Sequence, residues 1–212
     1  MSNPTLQVSM FLQPLLRATK VLGLAAAAAL IIGGTAAAAE NEPAGPDMQK
    51  LKRIMQEQVG LMKPELQQKV KKLSPKTQKS LIKILAQHSR YSNEVTLRQV
   101  MHEVLSDYHS MTAGIMTDNA EQAADSAMRL ANHRIPVGGL LPYLGLENIN
   151  DERLAVLETF NDSVEGKAKA LAKAARAGNM VEAASYLSDI TAGCVACHNV
   201  FRGRPGPSDL LR

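Results

Sequence analysis

Between residues 95 and 201 the apolar positions recur at steps of three and four. Leu97, Met101, Val104, Tyr108, Met111 and Ile115 mark one seam, and the spacing predicts a helix over about 95–116. Asp118 with Glu121 has the form of a capping box and opens a second helix, running to about His133. The stretch RIPVGGLLPYLGLEN, residues 134–148, holds two Pro and three Gly and cannot continue a helix. A third helix is predicted from about Asn150 to Gly178, with Leu154, Leu157, Phe160, Val164, Ala168 and Leu171 facing inward. Asn179 with Glu182 caps a fourth, which Gly203 and Pro205 end. No alternating strand pattern of useful length is present. Short connections favour antiparallel neighbours, so the expected fold is all-α: an up-down-up-down four-helix bundle over residues 95–204, with a short tail at 205–212.

Upstream the pattern changes. Met48, Leu51, Met55 and Met62 mark an amphipathic helix, interrupted around Gly60 and Pro64. In LSPKTQKSLIKILAQH, residues 73–88, Ser74 is placed as cap and Pro75 as first helical residue of another helix. The bundle is thus expected to carry an N-terminal helical extension over residues 40–94. Three Met at seven-residue spacing could form a metal-binding strip, but Leu51 and Ile54 share that face and favour core packing. Residues 1–39 read as a secretory signal. Arg17 and Lys20 precede the apolar run VLGLAAAAALIIGG, and Ala37 and Ala39 are the small pair before cleavage after Ala39. The run is shorter than the ~20 residues an anchor helix requires. Export would place the mature protein where thiols are oxidised.

Charge divides the mature chain. Residues 47–94 hold nine Lys and two Arg against four acidic residues, a net of +7, whereas residues 95–212 net −3. The Lys-rich face could attract an acidic redox partner or an anionic membrane surface, or could simply be solvated. Nothing points to nucleic acid. Aromatic content is 3% with no Trp. An Ala-, Leu-, Val- and Met-based core suits packed helices, and also a core whose bulky flat group is not an amino acid.

The only two cysteines stand three apart in TAGCVACHNVFRGRP, residues 191–205. On a helix Cys194, Cys197 and His198 occupy i, i+3 and i+4, so both thiols and the imidazole share a face. Covalent attachment of one haem c needs this arrangement: two thiols bond the two vinyl groups, and the adjacent His reaches the iron. A disulfide within one helical turn has poor geometry and closes almost no loop. A structural zinc site would need a second Cys pair. A thioredoxin-like dithiol expects a βαβ setting.

CVACHNVFR near the end of a four-helix domain, preceded by LRQVMHEVL on its first helix, resembles the cytochrome c-prime family, and within it the methionine-ligated, low-spin branch. The resemblance covers about residues 95–204 and breaks at 40–94. It implies an exported, usually periplasmic haem protein that passes electrons to redox partner proteins. In the pentacoordinate branch it implies binding of nitric oxide or carbon monoxide. Family members are often homodimers through their first two helices. His198 is expected as the proximal iron ligand. In antiparallel helices Met101 falls at the same height, ~9 Å from one helix start against ~8 Å from the other helix end, and the family motif makes it the expected distal ligand. His133 is its rival; His102 lies about 100° off the seam. Arg202, one turn past His198, matches a basic residue that family members carry beside the proximal imidazole or the propionates. Leu140, Leu141, Tyr143 and Leu144 are candidates for covering the porphyrin edge. No acid pair, Ser–His arrangement or phosphate loop suggests turnover, so the expectation is a carrier and not an enzyme.

Overall fold

The computed structural model describes residues 48–201 and 208–212, which belong to one compact unit, Pro43–Arg212. The signal segment 1–39, the cleavage position, Arg202, Gly203 and Pro205 lie outside the described residues. The described chain is all-α. No strand occurs in it, only isolated bridges between Met62 and Leu211 and between Tyr91 and Ile135.

Three helices come first: α1 (Met48–Gly60), α2 (Pro64–Lys71) and α3 (Pro75–Ala86). Pro64 and Pro75 each stand in a first turn, where the missing N–H costs nothing. Ser74 caps α3, its hydroxyl accepting from the Thr77 N–H at 3.3 Å. Met62 lies past the end of α1, where it is buried and bridged to the C-terminal tail. There Lys63 N–H donates to Leu210 O at 2.8 Å, and Arg212 N–H to Leu61 O at 3.0 Å.

The next helices are α4 (Leu97–Met116) and α5 (Ala120–Ala131). Thr96 caps α4 in a reciprocal box with Gln99. The cap of α5 is Asn119, which accepts from the Gln122 N–H at 3.0 Å, and not Asp118 as the sequence pattern suggests. Asp118 instead adopts the left-handed conformation, φ 54°, that closes α4. Asp118 N–H reaches Ile115 O and Asn119 N–H reaches Gly114 O, the paired bonds of a Schellman ending.

The expected third helix is broken. It runs as α6 (Asp151–Leu154), α7 (Leu157–Asn161), a π-turn (Asp162–Gly166) and α8 (Lys167–Arg176). Asn150 caps it, accepting from the Arg153 N–H at 2.9 Å, and Gly178 with φ 76° ends it. Its inward residues keep their place: Leu154, Leu157, Ala168 and Leu171 are buried, and Phe160 and Val164 half-buried. Asn179 caps α9 (Met180–Phe201), accepting from the Glu182 N–H at 3.2 Å.

α4 packs on α5, α5 on α8, α8 on α9, and α9 back on α4. Their common interior includes Met111, Leu130, Leu171 and Ile190 among buried alanines. Each fully buried Leu or Ile contributes ~1.5–3 kcal/mol. The first three helices join a second interior, where Met62, Leu66 and Leu73 meet Leu141, Leu144, Leu154, Leu157 and Phe201. Polar ties reinforce the join. Asp151 accepts from both the Ser74 N–H and hydroxyl at 2.9 Å, and Glu158 accepts from Ser80 at 3.1 Å and pairs with Lys83. Among the described residues no helix is long and apolar enough to cross a membrane.

Candidate functional site

A cavity of about 1030 Å³ is lined by Met62, Leu141 and Leu157 of the second interior and by Leu130 of the first. That volume is at the upper end of the ~300–1,000 Å³ typical of small-molecule and cofactor pockets. The last turns of α9 present Cys194, Cys197 and His198 to it, and the first turns of α4 present Met101 and His102. The first three helices close another side with Met55, Val59 and Leu81. From the loop after α5, Leu140 and Leu141 line the cavity; Tyr143 and Leu144 are buried without lining it. Tyr143 instead steadies the loop, its hydroxyl donating to Val137 O at 3.1 Å.

The helical spacing i, i+3, i+4 places all three residues of the Cys–His motif on the cavity wall. Both thiols are free and half-buried. Burial pushes each thiol up, Cys197 to about 11 with the neighbouring Cys194 adding to the effect, so both are protonated at neutral pH. Met101 is half-buried. The other methionines of the α4 seam are excluded by position: Met111 is sealed in the alanine-rich interior, and Met116 is 80% exposed. Between α4 and α9, Thr191 donates to Leu187 O at 2.8 Å, which leaves Tyr108 to donate to Thr191 at 2.7 Å. This bond ties together the two helices that carry Met101 and His198.

Sequence reasoning missed a polar corner of the same cavity. His88, just past the end of α3, His133, just past the end of α5, and Glu165, on the π-turn, converge there. The two rings lie 4.6 Å apart, centroid to centroid, tilted by 55°. His133 Nε2 is 3.1 Å and His88 Nε2 3.5 Å from Glu165 Oε1. Burial opposes ionisation of Glu165, but the pull of the two imidazoles is stronger and lowers its pKa to about 2. Burial likewise opposes charging of His133, and its hydrogen bond to Glu165 outweighs that and raises it. Both nitrogens of His133 therefore have partners, Glu165 and the Arg134 carbonyl at 2.9 Å. No short-range motif marks these residues. They are single His and Glu positions separated by 32 to 77 places, joined only by the fold.

Comparison with protein-family models, curated proteins and solved structures finds no match to this chain.

Proposed function

We propose that the chain is an exported, periplasmic c-type cytochrome that carries one electron on a single covalently attached haem with His198 and Met101 as axial ligands. The observation that carries the reading is the convergence of Cys194, Cys197, His198 and Met101 on one cavity of about 1030 Å³ with largely apolar walls. On this reading α4, α5, the segmented third helix and α9 form an antiparallel up-down-up-down four-helix bundle, and the first three helices add an extra wall beside its open end.

Bound haem supplies a one-electron iron couple whose potential the axial ligands set. Cys194 and Cys197, one helical turn apart on the cavity wall, would anchor it through thioethers. His198 would provide a nitrogen ligand from the same helix. Met101 would offer a neutral, soft thioether, a ligand that favours ferrous iron. The walls of the cavity are largely apolar, while His198 itself is exposed. The net positive charge of the extension fits docking of an acidic redox protein or an anionic membrane surface, and a homodimer fits the family resemblance.

Protein matured with haem should retain it through acid–acetone extraction and show one haem in its intact mass. Its oxidised spectrum should be low-spin with a weak sulfur-to-iron band in the far red. Met101→Ala should remove that band, lower the potential and admit carbon monoxide. An intact mass lacking haem overturns the reading. A high-spin wild type that binds carbon monoxide readily replaces it with the pentacoordinate, gas-binding alternative. A low-spin protein without the sulfur band moves the distal ligand to His102 or His133.

A further inference from the structure

His88 and His133 are fixed by the same device. His88 Nδ1 faces Ile84 O at 3.1 Å, and His133 Nδ1 faces Arg134 O at 2.9 Å. A carbonyl only accepts, so each Nδ1 bears a proton and donates it. In a neutral imidazole the Nε2 is then a bare lone pair. Both Nε2 atoms point at the Glu165 carboxylate, which also only accepts. With both rings neutral, three electron-rich groups thus converge with no proton between them.

A proton on His133 Nε2 satisfies one contact and leaves two atoms stranded. His88 Nε2 and Glu165 Oε2 are buried without a hydrogen-bond partner, on side chains only 1% and 9% exposed. Stranded buried polar atoms cost ~1–3 kcal/mol each, and more for a charged group. One divalent cation takes up both imidazole lone pairs and the charge of the carboxylate. Metal bonds of about 2.0–2.2 Å set tetrahedral ligand atoms roughly 3.4 Å apart. The two imidazole-to-carboxylate separations, 3.1 and 3.5 Å, bracket that value. The ligand atoms all lie within 4.8 Å of one another. The outer shell is also in place, because each ring is oriented by a backbone carbonyl in the manner of metal-ligating histidines. Glu165 stands on a π-turn, a device that often marks a functional position.

We propose that His88, His133 and Glu165 form a three-ligand site for one divalent first-row transition cation, with its remaining position open to the cavity. Two imidazoles and a carboxylate suit zinc or ferrous iron better than calcium or magnesium, which prefer all-oxygen shells. The site gives the N-terminal extension a chemical role, since His88 supplies one ligand and the other two come from the packed helices that follow. It does not depend on haem.

The test uses full-length mature protein, haem-loaded as purified, stripped with EDTA and titrated with Zn²⁺ by calorimetry and native mass spectrometry. One equivalent should bind. His88→Gln, His133→Gln and Glu165→Gln should each weaken binding by about 100-fold or more, since even outer-shell partners are worth ~10–100-fold. His109→Gln, on an exposed residue away from the cavity, should leave it unchanged. Glu165→Asp keeps the charge on a shorter arm and should bind with intermediate affinity, which covers the case where a Gln variant fails to fold. Absence of a zinc equivalent in the wild type overturns the site, as does full affinity in Glu165→Gln. Zinc lost in a Cys194→Ser/Cys197→Ser double variant but kept in Glu165→Gln places the metal at the thiols and also overturns it. Haem content is read separately by mass, so either result leaves the haem proposal standing or falling on its own evidence.

Discussion

The two interiors of this molecule are built from opposite materials. In the one shared by α4, α5, α8 and α9, nine of thirteen buried residues are alanine, and Gly114 lets two backbones meet. A Cβ on Gly114 would stand 2.6 Å from Ala123 N. Side chains that small allow helices to approach closely, so that this interior meets the cavity only at its edge, through Leu130. The other interior has no alanine among its buried members, only Met, Leu, Ile and Phe, and it borders a cavity of about 1030 Å³. Large apolar walls line that space, and one corner of it holds stranded polar atoms. Closeness of backbones fills one region; large side chains leave space in the other.

Removing the anchors should separate the two regions most sharply. In Cys194→Ala/Cys197→Ala the covalent haem should be lost entirely by intact mass. Hydrogen exchange should then quicken by about 100-fold or more around residues 140–160, while α5 and α8 stay slow, as expected of units with different local stability. Equal loss of protection in both would show that the cavity end and the alanine-rich end unfold as one.

Equal truncations should cost unequal amounts. Leu171→Ala, in the full interior, should lose ~2–5 kcal/mol in urea denaturation of the haem-free protein. Leu81→Ala and Leu140→Ala line space that already exists, so each should lose only about 1 kcal/mol, close to the transfer term alone. Matching losses would mean that the cavity has closed in solution. Overpacking reverses the test: Gly114→Ala must push backbone apart, and should cost ~1–3 kcal/mol.

The sequence discloses the full interior and conceals part of the open one, for a physical reason. Helix faces are periodic, so the seam Leu97 to Ile115 and the inward row Leu154 to Leu171 are legible from spacing, as are the Ser74 and Asn179 caps. Cys194, Cys197 and His198 are legible because one helix turn carries all three. The corner made by His88, His133 and Glu165 is not, because each residue comes from a different part of the chain and only tertiary packing joins them. The π-turn is hidden too, since a single wide turn hardly disturbs the apolar row on either side of it. Nor does charge disclose how the extension sits. Part of its basic surface is engaged by the rest of the chain, with Lys69 donating to Leu146 O at 2.8 Å and Lys83 paired with Glu158.

The smallest effects belong to the two joints that link helices in the full interior, which share one design with one residue exchanged. Gly178 and Asp118 each occupy the left-handed position that ends a helix, at φ 76° and 54°. Each is followed by an Asn that closes the Schellman pair and caps the next helix. Asn179 N–H reaches Ala174 O at 3.0 Å, and Asn119 N–H reaches Gly114 O at 2.8 Å. No atom lies within 4 Å of a Cβ added at Gly178, so Gly178→Ala isolates the backbone cost, ~1–2 kcal/mol. Asp118→Gly is the reverse experiment. It relieves the left-handed strain while loosening the unfolded chain, and should gain somewhat less than ~1 kcal/mol. Both changes should move the denaturation midpoint and leave its slope alone. If Asp118 were the cap of α5, as its spacing from Glu121 suggests, Asp118→Gly would lose stability instead, and the sign of that one midpoint shift decides between Asp118 and Asn119.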